Sequence, residues 1–313
     1  MNLRTILFHR LPGIIPLLFL TSVLSFGLVQ LSPSDPAEVA LRLNDITPTP
    51  EVIAETRVRL GLDQPLPIRY FRWLDAILHG DLGTSYVNGK SVAAELRQAL
   101  PPTVMLAATA AVIMLTGGLL TALPGVLRPG SRTDRLTRIF LFLASAMPSF
   151  WLGLLLLQFL AVTLDLFPIG GMDGPVSLVL PALTLALPHM PAYARLLRAA
   201  MLRTARENFV IHDRARGLTP RTVMKHIFRN SLQSCLTALG MSLPRLMAGA
   251  FVVENIFAWP GLGRLCVTAI FNRDFPVIQA YVLLMAGMFI VCNLCVDLCA
   301  ALLDPRQREG AAQ

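Results

Sequence analysis

Long uninterrupted apolar runs dominate this chain, in place of the alternation of a strand or the narrow stripe of a soluble helix. A hydrocarbon core of roughly 30 Å needs about 20 apolar helical residues at about 1.5 Å each. Six stretches meet that requirement: 11–31, 102–127, 139–167, 177–201, 232–258 and 277–303. The pattern predicts an all-α integral membrane protein with six transmembrane helices. Arg4 and Arg10 precede the first run as they would in a signal peptide. The run is too long for one, and no small-residue cleavage site precedes Pro33 cleanly, so it reads as an uncleaved helix.

Between the first two runs the texture changes. Residues 32–101 mix acids and bases in near balance, which predicts a small water-facing subdomain. A helix start after Pro48 and Pro50 with a stop at Gly61 predicts one short helix over 51–60. Tyr70, Phe71, Leu74 and Leu78, at steps of three and four or near them, predict another over 68–78. The chain then divides into 1–31 (N-terminal segment and first span), 32–101 (extracytoplasmic subdomain), 102–303 (five-helix core with a basic loop over 203–230) and 304–313 (tail).

Composition supports a lipid environment. Of 313 residues 54% are hydrophobic and only 15% charged, well under the usual soluble share of about 25%. The charge that is present orients the spans. Arg128, Arg132, Arg135 and Arg138 lie in one connection; Arg203, Arg206, Arg214, Arg216, Arg221, Lys225 and Arg229 lie in another. Both are expected in the cytoplasm, and with an even number of spans both termini follow. The net charge of +8 is therefore a topology signal that suits anionic lipid or an acidic partner, and not nucleic acid.

Candidate chemistry is sparse. Gly89-Lys90-Ser91 ends like a phosphate loop, but Thr84 stands where the pattern needs its first glycine. The ionisable residues inside spans are Asp165, Arg195, Arg198, Arg245, Glu254 and Asp297. Arg245 and Asp297 are the deeper two and are expected to pair, since an isolated charge at the bilayer centre costs at least about 2.5 kcal/mol. Cys292, Cys295 and Cys299 share a helix face, and His189 and Met190 sit between Pro188 and Pro191. Soft ligands of this kind suit a transition metal, but packing is the better reading of the thiols. No disulfide framework is implied. Pro181, Pro188 and Pro191 should bend the fourth span, which makes it a wall of a pathway; His189, Met190 and Glu254 are the candidate pathway residues. The small residues Gly240, Gly249 and Ala250 leave room for close helix approach.

Several motifs converge on one family. Arg214-Ala215-Arg216-Gly217-Leu218, followed by His226 and Arg229-Asn230-Ser231-Leu232, resembles the coupling segment of permease subunits in ABC importers of the peptide and nickel type. So do Glu254-Asn255-Ile256-Phe257-Ala258-Trp259-Pro260-Gly261-Leu262-Gly263-Arg264, the run from Phe271 to Gln279, and Asp304-Pro305-Arg306. Leu60-Gly61-Leu62-Asp63-Gln64-Pro65-Leu66 and Gly80-Asp81-Leu82-Gly83-Thr84-Ser85 match upstream, so the resemblance covers essentially the whole chain. The wider pattern has Glu-Ala-Ala ahead of the loop glycine; here Ile211, His212 and Asp213 occupy those places, while Gly217 is retained.

The resemblance implies the type I ABC importer permease fold in a bacterial inner membrane. It also implies a homologous second permease, two ATP-binding subunits and an extracytoplasmic solute-binding protein as partners. On this reading the chain is not an enzyme and binds no cofactor, ATP being used by the partner subunits. Ala215, Arg216, Gly217, Leu218, Arg229 and Asn230 would form the ATPase-coupling loop, with Phe209, Val210 and Leu218 entering a groove on the ATPase. Trp259, Pro260, Gly261 and Gly263 would face the binding protein, Trp259 being otherwise an interfacial anchor. The wording of Phe257 to Gly261, Cys292-Asn293-Leu294 and the run from Pro48 to Leu66 is more similar to nickel permeases than to dipeptide ones. Nickel, as an ion or small chelate, is thus the expected substrate, with di- or oligopeptides as the alternative in the same class. An ion-coupled carrier or channel is the alternative from another class; the Arg245–Asp297 pair is read as structural, since a proton relay needs several acids or histidines in series, and no inverted repeat supports it.

Overall fold

The computed structural model describes residues 3–31, 35–43 and 46–303, with side chains described at 12–31, 35–43, 46–231 and 242–295. Among these the regular structure is helical, with one isolated bridge between Thr84 and Ser91. Thirteen α-helices follow in order. They are α1 (Leu3–Gln30), α2 (Pro36–Leu43), α3 (Pro50–Arg59), α4 (Leu66–Leu78), α5 (Val92–Leu127), α6 (Arg132–Ala146) and α7 (Ser149–Leu156). After a π-helical turn at Leu157–Thr163 come α8 (Val179–Ala186), α9 (Met190–Thr204), α10 (Asn208–Ala215), α11 (Pro220–Ile256), α12 (Leu262–Phe271) and α13 (Phe275–Leu303).

Five of the six expected spans can be compared among the described residues. Three described helices, at Pro12–Gln30, Val92–Leu127 and Phe275–Cys295, are long and apolar enough to cross a bilayer, and two bent pairs raise this to five if each pair is one span. Proline is the physical reason for the breaks. Pro148 follows Met147 at a 106° bend between α6 and the α7 segment, and Pro188 and Pro191 flank a 64° bend between the α8 segment and α9. The fourth expected span is thus bent as its prolines imply. The third, expected over 139–167, is instead two helices at an angle. The fifth falls within α11, where the side chains at 232–241 lie outside the described residues.

The chain forms two compact units, residues 1–6, 103–259 and 291–313 in one, and 7–102 and 260–290 in the other. In the first, α11 packs against α7, α8 and α9, and α6 packs against α9. Its core contains Leu106, Met114, Leu180, Leu185, Leu197, Met201, Ile227, Leu246 and Trp259. Close approach depends on missing side chains: a Cβ on Gly117 would lie 2.4 Å from Met190 Cε, and one on Gly118 would lie 2.6 Å from Tyr193 Cδ1.

Asp134 ties α6 to α9. It is buried, and its carboxylate accepts from the Gly130 amide at 3.0 Å, Arg198 Nη1 at 3.0 Å and Arg138 Nη2 at 3.1 Å. The Gly130 amide chiefly, with Arg198 and Arg138, holds this carboxyl below the usual carboxylate range against the opposing effect of burial. Gly125 leaves the space, since a Cβ there would lie 2.5 Å from Arg198 Cζ.

In the second unit, Val92, Leu96 and Ala99 of α5 pack with Leu262 and Ala269 of α12 and Val277 and Ala280 of α13. The expected helices over 51–60 and 68–78 appear as α3 and α4, and α2 was not anticipated. Its eight residues are too few for periodicity to declare, although Asp35 accepts from the Ala37 amide at 3.0 Å and Pro36 opens the helix. The inward face of α4 also differs from the expected one. Phe71 and Leu78 are exposed, whereas Tyr70 and Trp73 turn to Phe26 of α1, with ring centroids 5.5 Å apart in each case. Gly89-Lys90-Ser91 lies in a turn closed by the Ser85 amide on the Lys90 carbonyl and the Val92 amide on the Gly83 carbonyl, so it is not a strand-to-helix phosphate loop.

Candidate functional site

The basic loop is a built element. α10 has only eight residues, and its C-terminal end is closed by a built turn. Glu207 opens it in an extended conformation, and at its end Gly217 adopts φ of 75°, the left-handed conformation. That turn lets the Gly217 amide donate to the Arg214 carbonyl at 3.0 Å and the Leu218 amide to the Asp213 carbonyl at 3.2 Å, satisfying carbonyls that the helix leaves free. Thr219 then caps α11 by accepting from the Thr222 amide, with Pro220 in the first turn.

Two side-chain contacts hold this unit to its neighbours. The buried Asp213 carboxylate meets His226 Nδ1 of α11 at 2.7 Å. Ser231 Oγ donates to Thr204 Oγ1 at 3.1 Å, joining α11 to the end of α9. Val210 is buried, and Phe209 and Leu218 pack against the same core with Val223, Met224, Ile227 and Phe228. Val210, expected with Phe209 and Leu218 to enter a partner's groove, is thus taken up by the chain's own core, while Phe209 and Leu218 stay half-buried. The outward face carries Ile211, 64% exposed, with His212, Arg214, Ala215, Arg216 and Gly217 also exposed. Arg229 and Asn230 are exposed on α11. The apolar residue that α10 offers outward is therefore Ile211, which sequence reasoning noted only as a departure from the expected glutamate. Its i, i+4 relation to Ala215 was the available signal.

The second motif is mostly interior. The turn after α11 contains Ala258, whose φ of 49° is left-handed for a residue with a Cβ. The Trp259 amide closes the turn on the Glu254 carbonyl at 2.8 Å, and the Trp259 ring is fully buried. Its ring is thus in the core and at no lipid–water boundary. The Phe257 carbonyl accepts from the Gly171 amide at 2.9 Å, and a Cβ on Gly170 would lie 2.7 Å from the same oxygen. Gly261 and Gly263 are also buried, which leaves Pro260 as the exposed member of the four residues assigned to binding-protein contact.

The candidate pathway residues have separate surroundings. Met190 is buried against Gly117. His189 is half-buried at the break between α8 and α9, and a Cβ on Gly249 would lie 3.8 Å from its Nε2. Glu254 is fully buried, and its Oε1 accepts from Thr103 Oγ1 at 2.6 Å, a partner the sequence did not suggest. Among the described residues no group of three or more His, Cys, Asp or Glu is arranged to hold a metal ion. Cys292 Sγ lies 3.6 Å from Met247 Sδ and Cys295 is exposed, while the side chains of Cys299 and Asp297 lie outside the described residues, as does the expected Arg245–Asp297 pair. Burial pushes the Cys266 thiol of α12 up to about 11, the behaviour of an inert core cysteine.

These features coincide with known proteins over nearly the full chain. Residues 114–309 match the model for binding-protein-dependent transport system inner membrane components, and residues 3–107 match that family's N-terminal model. The metal-staphylopine import system permease CntB of Staphylococcus aureus is 38% identical over 304 residues, covering 96% of this chain and 97% of that protein. A putative peptide transport system permease of Brucella abortus is 35% identical, covering 98% and 99%. The glutathione transport system permease GsiC of Salmonella paratyphi A is 36% identical, covering 96% and 97%. In fold, the inward-facing MetNI methionine ABC transporter aligns with a TM-score of 0.57 at 18% identity, covering 67% of this chain and 96% of its own. With matched models spanning both segments and relatives of such identity over such lengths, the chain belongs to the family of binding-protein-dependent transport system inner membrane components.

Proposed function

We propose that this chain is one permease subunit of an ABC importer in the bacterial inner membrane, passing nickel, as an ion or a small chelate, into the cytoplasm. The observation that carries the permease reading is α10, a short helix closed at its C-terminal end by the Gly217 turn, anchored inward by Val210 and the Asp213–His226 contact, and exposing Ile211 among arginines. Such an element transmits displacement because its inward side is fixed to α11 while its outward side is open to a partner. On this reading two ATP-binding subunits dock there through Ile211, Ala215, Arg216 and the Gly217 turn, with Arg229 and Asn230 at the margin. Separate ATPase subunits hydrolyse ATP, and this chain contributes no catalytic residue and binds no cofactor. A second, homologous permease completes the passage, and a solute-binding protein delivers the solute at the opposite face, with Pro260 as the exposed part of its motif. Both termini lie in the cytoplasm, following the arginine-rich connections.

The metal-chelate reading is supported by the likeness to the metal-staphylopine permease and by the similarity of the motifs around Phe257 and Cys292 to nickel permeases. Selection of the metal belongs to the binding protein, since a chelated ion needs no ligand set in the passage. Di- or oligopeptides are the second reading, favoured by the relatives named for peptide and glutathione transport. Uptake of radioactive nickel in cells lacking the gene decides between them: nickel accumulation should fall, and normal nickel accumulation alongside lost peptide uptake overturns the assignment.

A further inference from the structure

The second unit contains a cavity of about 250 Å³ that transport through the membrane does not account for. Its wall joins the end of α1, the turn after α3, one face of α4, Tyr86 and the start of α13. Two features in it are unfinished. The side-chain Oε1 of Gln64 is buried with no hydrogen-bond partner, an arrangement that costs about 1–3 kcal/mol unless a donor arrives. Arg69 is half-buried, and neither its guanidinium nor that of Arg72 has a hydrogen bond or ion pair among the described residues.

The carboxylates that act on this region are already engaged. Asp35 pairs with Arg57 at 3.0 Å and accepts from the Ala37 amide. Asp274 accepts from the Ser85 hydroxyl and from the Tyr86 amide at 3.1 Å. Among the described residues neither guanidinium therefore has a carboxylate at ion-pair distance, Asp35 acting on Arg69 only from further off, and burial lowers the pKa of Arg69 from its ordinary value while raising that of the Tyr86 hydroxyl. Trp73 and Phe26 give the same cavity an aromatic side. Gly61, at φ of 65°, places its turn so that a Cβ would lie 3.5 Å from Arg72 Nη1, which keeps that guanidinium close to the turn bearing Gln64.

We propose that this cavity binds a small solute with a carboxylate beside an amine, an amino-acid-like head group. The carboxylate meets Arg69 and Arg72, the amine donates to Gln64 Oε1, and an apolar body lies against Trp73 and Phe26. An anion alone leaves Gln64 unpaired, and an amine alone brings a further positive charge beside two arginines, so the lining selects the pair of groups together.

The test is calorimetric titration of the full chain purified with its partner subunits, without binding protein or nucleotide, so that it stands or falls separately from nickel or peptide uptake. L-phenylalanine is the probe, compared with 3-phenylpropionate and phenethylamine. Phenylalanine should bind saturably, and phenethylamine should bind at least about tenfold more weakly. Arg69→Gln and Arg72→Gln should each weaken phenylalanine about tenfold, while Gln64→Leu should abolish the preference for phenylalanine over 3-phenylpropionate. The exposed position of Arg72 keeps R72Q informative should R69Q disturb folding. Absence of phenylalanine binding, unchanged affinity in R72Q, equal binding of phenethylamine, or loss of binding in phosphatidylethanolamine nanodiscs but not in phosphatidylcholine nanodiscs overturns the proposal. The last result would assign the cavity to a lipid head group.

Discussion

Gly217 offers a perturbation in which a single physical cause can be isolated. Its φ of 75° is left-handed, and a Cβ built on it meets nothing within 4 Å. Substitution there therefore acts through backbone strain alone, at about 1–2 kcal/mol for an ordinary residue and less for asparagine, which tolerates this conformation. That energy shifts the population of the closed turn by roughly 5- to 30-fold. Gly217→Ala and Gly217→Arg should accordingly lose protection by similar factors at the Leu218 amide, whose bond to the Asp213 carbonyl exists only while the turn is closed. Gly217→Asn should lose less. Hydrogen exchange of the purified complex measures the turn, and solute uptake measures coupling; uptake should fall in the order Asn, then Ala and Arg, with membrane insertion unchanged in all three. If asparagine is as damaging as alanine, or if alanine is harmless while arginine abolishes uptake, turn strain is not the cause and a side-chain clash with the partner is.

Two further outcomes follow from the same packing. Asp134→Asn keeps a neutral acceptor for the Gly130 amide but removes both arginine pairs, and should cost about 2–3 kcal/mol, read as a lower unfolding midpoint at pH 7. Because the native state depresses the Asp134 pKa, its contribution is fully present above the ordinary carboxylate value of about 4 and disappears as pH falls through the lower native value. The gap between wild type and variant should thus be constant from pH 7 to 5 and close only below about pH 4; a gap that closes near pH 6 would show another group responsible. Ile211→Asp, on the exposed face of α10, should leave the unfolding midpoint of the permease unchanged but lower uptake and solute-stimulated ATPase activity together, by about tenfold if the side chain is desolvated by the partner. Unchanged uptake would remove Ile211 from the docking contact.

How far the sequence could be read depended on the range of the interaction concerned. Apolar runs declare lipid-facing helices because the bilayer imposes its thickness on each segment independently. The bend at Pro188 and Pro191 was legible because proline removes a donor wherever it stands. The bend at Pro148 was equally local, but it lay inside a run whose hydropathy continued unbroken. Side-chain roles were harder because they depend on what packs opposite. Val210 and Ile211 are adjacent and both β-branched, yet one is buried and the other exposed, and nothing short of the position of α11 distinguishes them. The cavity around Gln64 was invisible for the same reason, since Phe26, Arg69, Tyr86 and Gln279 meet only in the fold.

Among the described residues five helices end in the same left-handed turn, and the residues found there show how the motifs work. α3 is followed by Gly61, α4 by Gly80, α10 by Gly217, α11 by Ala258 and α12 by Arg273 in this conformation, with the next amide in each case bonding to the carbonyl five residues back. Gly61, Gly80 and Gly217 adopt it freely, whereas at Ala258 and Arg273 the conformation costs about 1–2 kcal/mol that the surroundings must offset. At Ala258 burial of the Trp259 ring and the Gly171 bond to the Phe257 carbonyl supply this. At Arg273 the following Asp274 is held by the Ser85 hydroxyl and the Tyr86 amide. Gly217 has no comparable anchor on its outer side, where Arg214, Ala215 and Arg216 are exposed. A strained residue would be least affordable there, in a turn whose shape must survive without burial, and this explains why glycine is retained at 217 although the neighbouring Glu-Ala-Ala positions have changed.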